Sequence, residues 1–200
     1  MTFVLAGWQA MGIVWLLTAI WFAARRRGSV WGKLWRFLTT VLPEPWLLVL
    51  LPVVAVLVNL APQAVWAHVT WKQPVVEAAG AALVLVSAAL MIWARLALGA
   101  MWAGRPMVQE DHELRTGGPY GVVRHPIYTG LLGMMLGTAM ATGFGGFVVI
   151  VLCTLAWLLW RVRVEDGMMS RTFGARFEAY RARVPALLPL PRPGTGEWVG

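Results

Sequence analysis

Charge is scarce in this chain of 200 residues: Asp, Glu, Lys and Arg make up only 13% of it, against 59% hydrophobic residues. With a mean hydropathy of +0.67, that usage excludes an ordinary soluble domain and makes the bilayer the solvent. Cysteine is almost missing too. Cys153 stands alone in an apolar run, so there is no intrachain disulfide and no statement about redox compartment. The sequence has no Cys/His set with metal-ligand spacing, and no metal is expected. Soluble cofactor folds are also unsupported: there is no P-loop and no strand followed by a G-x-G-x-x-G turn and an acid, and the glycines of residues 143–146 have the wrong spacing.

What the chain does have is basic charge, tryptophan and long apolar runs. A net charge of +8 and thirteen Trp would suit nucleic acid only if polar surface were available for a groove, and the apolar runs leave little. The charge therefore reads as membrane topology, with no nucleic-acid partner. A spanning helix needs about 20 apolar residues, and residues 3–24 supply them uncharged before Arg25, Arg26 and Arg27. This run lacks a basic start and a small-residue cleavage site, so it is expected to stay as an anchor. Residues 28–37 mix Trp31 and Trp35 with Lys33 and Arg36, the pattern of the headgroup layer. Pro43 and Pro45 break the chain before a second span at 46–66, which Pro52 can kink. A connection at 62–74 carries His68 and Lys72 and leads to a third run at 75–99, with Glu77 and Arg95 near its ends. The longest polar stretch, 100–124, follows. Residues 126–160 are apolar again except for Thr142-Gly143-Phe144-Gly145-Gly146, the tight turn of a helical hairpin whose arms are each short for a full span.

The expected architecture is an all-α membrane protein of about five transmembrane helices, the last two forming a hairpin, followed by a cytoplasmic amphipathic helix. Residues 1–98 would form an N-terminal three-helix membrane region, 99–190 a catalytic region and 191–200 a flexible tail. The basic clusters at 25–36, 95–124 and 161–192 are separated by even numbers of crossings, leaving only Lys72 on the opposite side. The positive-inside rule then places the N-terminus outside, and the C-terminus and the polar stretch in the cytoplasm. Met169, Phe173, Phe177 and Tyr180, spaced four, four and three, form one stripe of a basic amphipathic helix able to lie on the membrane.

Ionisable residues at membrane depth are functional candidates by default, and Arg124-His125-Pro126-Ile127-Tyr128 enters the fourth apolar run. Pro126 suits a first helical turn, and the free N–H groups nearby, with the helix dipole, make a place for a carboxylate. His125 and Tyr128 would flank it, with Tyr120 just upstream. Taken singly, Arg124 reads as a positive-inside anchor, Tyr128 as a member of the aromatic belt and His125 as an interfacial side chain. A second cluster, Arg161-Val162-Arg163-Val164-Glu165-Asp166, leaves the same hairpin. Arg161 and Glu165, four apart, share a helix face, and a plain structural salt bridge is the alternative reading of that pair. Because a hairpin joins its own two ends, both clusters should converge.

Gly118-Pro119-Tyr120, Arg124-His125-Pro126-Ile127-Tyr128-Thr129-Gly130, Glu165-Asp166, Phe173-Gly174 and Tyr180-Arg181-Ala182-Arg183-Val184-Pro185 resemble, in order and spacing, the isoprenylcysteine carboxyl methyltransferase and phospholipid methyltransferase superfamily. The resemblance covers about residues 95–189. It implies an integral membrane methyltransferase that uses S-adenosylmethionine, yields S-adenosylhomocysteine and takes a lipid or prenylated acceptor entering from the bilayer, an isoprenylcysteine-type carboxylate first, with a phospholipid amine or a small thiol as alternatives. It further implies a cofactor site of Gln109, His112, Glu113, Leu114, Arg115, Tyr120, His125, Pro126, Ile127, Tyr128 and Glu165, with Arg161 on the substrate side and catalysis shared by Arg161, Glu165 and His125. The superfamily usually has two Glu where this chain has Glu165-Asp166. A steroid-reductase-like oxidoreductase also has an Arg-His-Pro motif, but Ile127 and Thr129-Gly130 fit it poorly. A transporter or scaffold would give Glu77, Arg95 and Glu165 packing or ion-passage roles in an interior otherwise nearly free of charge.

Overall fold

The computed structural model describes residues 1–25, 53–54, 56–58, 60–99 and 114–190. The headgroup-layer segment at 28–37, most of the second span expected at 46–66, and the tail at 191–200 lie outside the described residues. Every regular element among the described residues is helical: α1 (Thr2–Arg25), α2 (Gln63–Trp66) with a 3-10 turn at Ala67–Val69, α3 (Pro74–Leu98), α4 (Pro119–Val122), α5 (Pro126–Thr142), α6 (Phe147–Phe173) and α7 (Ala175–Arg183). Three of them, α1, α3 and α6, are long and apolar enough to cross a membrane, as expected of an integral membrane protein. At 17 residues, α5 is about 26 Å long, slightly short of the about 30 Å hydrocarbon core.

The core forms where α1, α3 and α5 meet, around Val4, Val84, Ala88, Met91 and Met134. Glycine lets α3 and α5 approach almost backbone to backbone, the device that replaces hydrophobic driving force inside lipid. A Cβ added to Gly137 would stand 2.6 Å from the Gly80 carbonyl oxygen, and one added to Gly80 would stand 2.6 Å from the Ala141 nitrogen. Gly137→Val should therefore lower stability by about 3 kcal/mol, because the obstacle is backbone that cannot rotate away. Gly12→Ala, where nothing lies within 4 Å, should be neutral; thermal unfolding in detergent compares the two. Across this packing, the Trp8 indole donates to Thr138 Oγ1 at 3.1 Å, tying α1 to α5.

The expected hairpin is present. Gly143 ends α5 in the left-handed conformation, with φ 86°, and the amide of Gly145 donates to Val69 O at 3.2 Å while that of Trp71 donates to Gly143 O at 3.0 Å. The segment before α3 thus fastens the hairpin tip. Two sequence expectations need correction. The second arm does not stop near Trp160: α6 continues unbroken to Phe173, placing Arg161, Glu165 and Asp166 on a rigid extension of a membrane helix. Nor do Met169, Phe173, Phe177 and Tyr180 lie on one surface helix, because Gly174, with φ 53°, turns the chain between α6 and α7. Phe177 and Tyr180 are buried, so α7 packs down onto the hairpin's open end. Arg95 lies in the last turn of α3, near the end of the run as expected, and is buried there: it is 2% exposed, donates to Gly99 O at 2.7 Å and lies over the Trp15 ring.

Candidate active site

The open end of the hairpin gathers five ionisable groups. Pro126 opens α5 with His125 as its N-cap, so His125 and Tyr128 enter from one arm while Arg161, Glu165 and Asp166 enter from the other. Glu165 is the shared acceptor. Tyr128 Oη donates to Glu165 Oε1, Arg161 Nη2 donates to the same oxygen at 2.9 Å, and His125 Nδ1 stands 3.5 Å from Oε2. Arg161 Nε also donates to the Tyr128 hydroxyl at 3.1 Å, and its guanidinium lies over the rings of Tyr128 and Trp157.

Asp166, one residue on, serves a different set. Arg124 Nη2 donates to Asp166 Oδ2 at 2.7 Å and Nε to Oδ1 at 3.4 Å, the two-pronged geometry that guanidinium and carboxylate favour. His125 Nε2 is 3.0 Å from Asp166 Oδ1. The imidazole therefore bridges both carboxylates, one through each nitrogen, and two donor positions require the imidazolium. Burial disfavours that charge, but the hydrogen bonds to Asp166 and Glu165 outweigh it and raise the His125 pKa above its ordinary value. A raised folded-state pKa means stabilisation present in full below about pH 6.5 and lost as pH rises through the higher folded value. Unfolding midpoints measured from pH 6 upward should fall in the wild type and change less in His125→Gln.

Arg124 continues the network into the C-terminal segment, donating from Nη1 to Arg181 O at 3.3 Å and to Val184 O. The amides of Arg124 and His125 donate to Pro185 O at 2.8 Å and Ala186 O at 3.0 Å, Thr129 Oγ1 donates to Leu187 O at 2.6 Å, and the Tyr180 hydroxyl donates to Tyr120 O at 2.5 Å. This overturns part of the anion site expected at the start of α5, because the two amides just ahead of the helix are taken by the returning chain. It also corrects the bland reading of Arg124, which is 7% exposed and holds residues 181–185 against the hairpin.

Of the residues singled out in the sequence, His125, Tyr128, Arg161 and Glu165 meet directly, with Pro126 buried behind them and Ile127 packed against the core cluster. Tyr120 is buried on α4, and its hydroxyl donates to the Ala94 carbonyl of α3 at 3.4 Å. Leu114 is half-buried and Arg115 exposed. Gln109, His112 and Glu113 lie outside the described residues. The sequence reading missed Arg124 and Asp166 as partners, and also Trp157. The signal for the first pair was available as a buried-depth Arg and an acid at the two ends of one hairpin. Trp157 lies four residues before Arg161, the spacing of a shared face.

The donor set can be tested against a zwitterionic cofactor and an anionic acceptor. Arg124, His125 and Arg161 carry three positive charges when His125 is protonated, and Glu165 and Asp166 carry two negative ones, so three minus two leaves one cation in excess. That excess favours a carboxylate ligand, while the Glu165 oxygens suit an ammonium, so the residues present fit both. Among the described residues no group of acids, His and Cys is arranged to hold a metal ion.

With this geometry in place, comparison with known proteins decides the family. The phospholipid methyltransferase family matches residues 75–176. The chain belongs to that family. The phospholipid methyltransferase match takes in α3, both hairpin arms and every member of the five-group cluster, in keeping with the superfamily resemblance read from the motifs. The chain is 40% identical over 86 residues to the protein-S-isoprenylcysteine O-methyltransferase of Schizosaccharomyces pombe, covering 40% of this chain and 35% of that protein. It is 30% identical over 84 residues to protein-S-isoprenylcysteine O-methyltransferase B of Arabidopsis thaliana, covering 41% and 42%. With the methanethiol S-methyltransferase of Pseudomonas deceptionensis it shares 32% identity over 97 residues, covering 48% and 36%. The matches thus span less than half the length of each of these relatives.

Proposed function

We propose that this chain transfers a methyl group from S-adenosylmethionine to a lipophilic acceptor at the cytoplasmic membrane face, with an isoprenylcysteine-type carboxylate as acceptor. The supporting observation is the convergence of His125, Tyr128, Arg161 and Glu165 at the open end of the hairpin, with one positive charge in excess. The cofactor supplies a methyl already activated on a sulfonium. What remains for the protein is to bind, align and exclude water. Glu165 would hold the cofactor's ammonium, and Arg161 would hold the acceptor carboxylate without being able to give up its own proton. A carboxylate oxygen held there would take that methyl as the C–S bond breaks and the C–O bond forms, so no residue of this chain would have to remove a proton. His125, committed to two carboxylates, acts as a cationic strut between the carboxylates of Glu165 and Asp166. The superfamily resemblance would add Gln109, His112, Glu113, Leu114, Arg115 and Tyr120 to the residues that bind the cofactor.

Lipid surrounds the hairpin, and the acceptor reaches Arg161 sideways from the bilayer while the cofactor arrives from the cytoplasm. This topology has about five crossings, with the N-terminus outside. A reporter enzyme inserted in the 62–74 connection should register as external; a cytoplasmic signal there contradicts it. The similarity to methanethiol S-methyltransferases favours one second reading, a thiol acceptor, which would need a base to accept its proton. Incubation with methyl-labelled S-adenosylmethionine and S-farnesylcysteine should give a base-labile ester. Labelled thioether from a thiol and no ester from the carboxylate would support the thiol reading instead.

A further inference from the structure

Trp157 carries the one indole among the described residues whose N–H is buried without any hydrogen-bond partner. Such a donor is expensive to leave unused, and inside lipid no water relieves it. Its neighbourhood is the candidate site. Trp157 precedes Arg161 by one turn of α6, on the side toward the hairpin tip, with the Arg161 guanidinium 5.6 Å from its ring centroid. The Tyr128 ring of α5 tilts against it at 6.4 Å. The Tyr128 hydroxyl already donates to Glu165 and accepts from Arg161, so it is not the partner of the indole N–H. The indole is thus a neutral donor beside a cation, at the edge of the cluster that faces the apolar interior.

We infer that the Trp157 Nε1–H donates to an oxygen of the acceptor's carboxylate, making Trp157 a residue that selects an oxyanion head over an amine or a thiol. A carboxylate offers two oxygens: one attacks the methyl while the other is held by Arg161 and Trp157. An ammonium offers no lone pair and meets two donors; a thiol accepts hydrogen bonds only weakly. The inference rests on the carboxylate-acceptor reading above.

The test uses the full chain in lipid nanodiscs, with Trp157→Phe and a second variant carrying β-(3-benzothienyl)alanine at 157, which keeps the bicyclic shape and lacks the N–H. Both should bind S-farnesylcysteine about tenfold or more weakly, as expected for losing a hydrogen bond to a charged group. S-adenosylhomocysteine affinity should stay unchanged, and the benzothienyl variant's unfolding midpoint should hold or rise, because the lost donor had no partner in the free protein and its burial was a cost. Unchanged S-farnesylcysteine affinity in the benzothienyl variant overturns the inference, as does a parallel loss of S-adenosylhomocysteine affinity. Wild-type protein that binds S-adenosylhomocysteine but not S-farnesylcysteine also overturns it, leaving methyl transfer to another acceptor standing. Failure to bind S-adenosylhomocysteine at all would instead refute the methyltransferase reading beneath it.

Discussion

Glu165→Ala should lower methyl transfer by about 100-fold or more, the scale of loss when an aligning group is removed and reactants drift by about an ångström. Glu165 accepts from Tyr128 and Arg161 and faces His125, so its removal frees three side chains at once and strips the site of the anion that would meet the cofactor's ammonium. The loss should appear in turnover measured at saturating acceptor and in weaker S-adenosylhomocysteine binding. Glu165→Gln keeps an oxygen acceptor for Tyr128 but lacks the charge, and should recover little. A Glu165→Ala protein with near-normal turnover would assign the residue to packing.

Asp166→Ala should be the most destabilising single change in the cluster, by about 3 to 5 kcal/mol, because it strands the buried Arg124 guanidinium. Arg124 ties residues 181–185 to the hairpin, so the C-terminal segment should loosen and trypsin should cut after Arg181 or Arg183 far faster. Replacing both partners, as in Arg124→Leu with Asp166→Leu, removes the stranded charge and should regain most of the lost stability, since a buried ion pair is often no better than apolar packing. Methyl transfer should not return with it, because His125 still lacks its Asp166 anchor. Thermal unfolding paired with activity separates these two roles.

The sequence made the hairpin legible because its turn is chemically marked: two apolar arms flank glycines that permit positive φ, and Pro126 can only begin a helix. Once the hairpin is granted, the meeting of His125 with Glu165 follows from chain connectivity. What the sequence could not show was the use of Arg124 and of the amides beside it. An arginine at a membrane boundary carries the same letter whether it snorkels to water or is buried against an aspartate, and only the returning segment 184–187 decides between them. The amphipathic stripe misled for a related reason. Spacings of four, four and three fit one helix, but Gly174 with its positive φ divides them between two, and burial of Phe177 and Tyr180 follows from that turn. Trp157 was hidden among thirteen tryptophans, since nothing in the sequence tells a satisfied indole from an orphaned one.

The central claim, that the hairpin's open end is a binding site for one small zwitterionic molecule, is tested most directly by calorimetric titration of the purified protein with S-adenosylhomocysteine. Saturable one-to-one binding in the wild type, markedly weakened in both His125→Ala and Glu165→Ala proteins that remain folded, is the predicted result. A folded wild-type protein giving no heat of binding, or variants binding as tightly as the wild type, would contradict it.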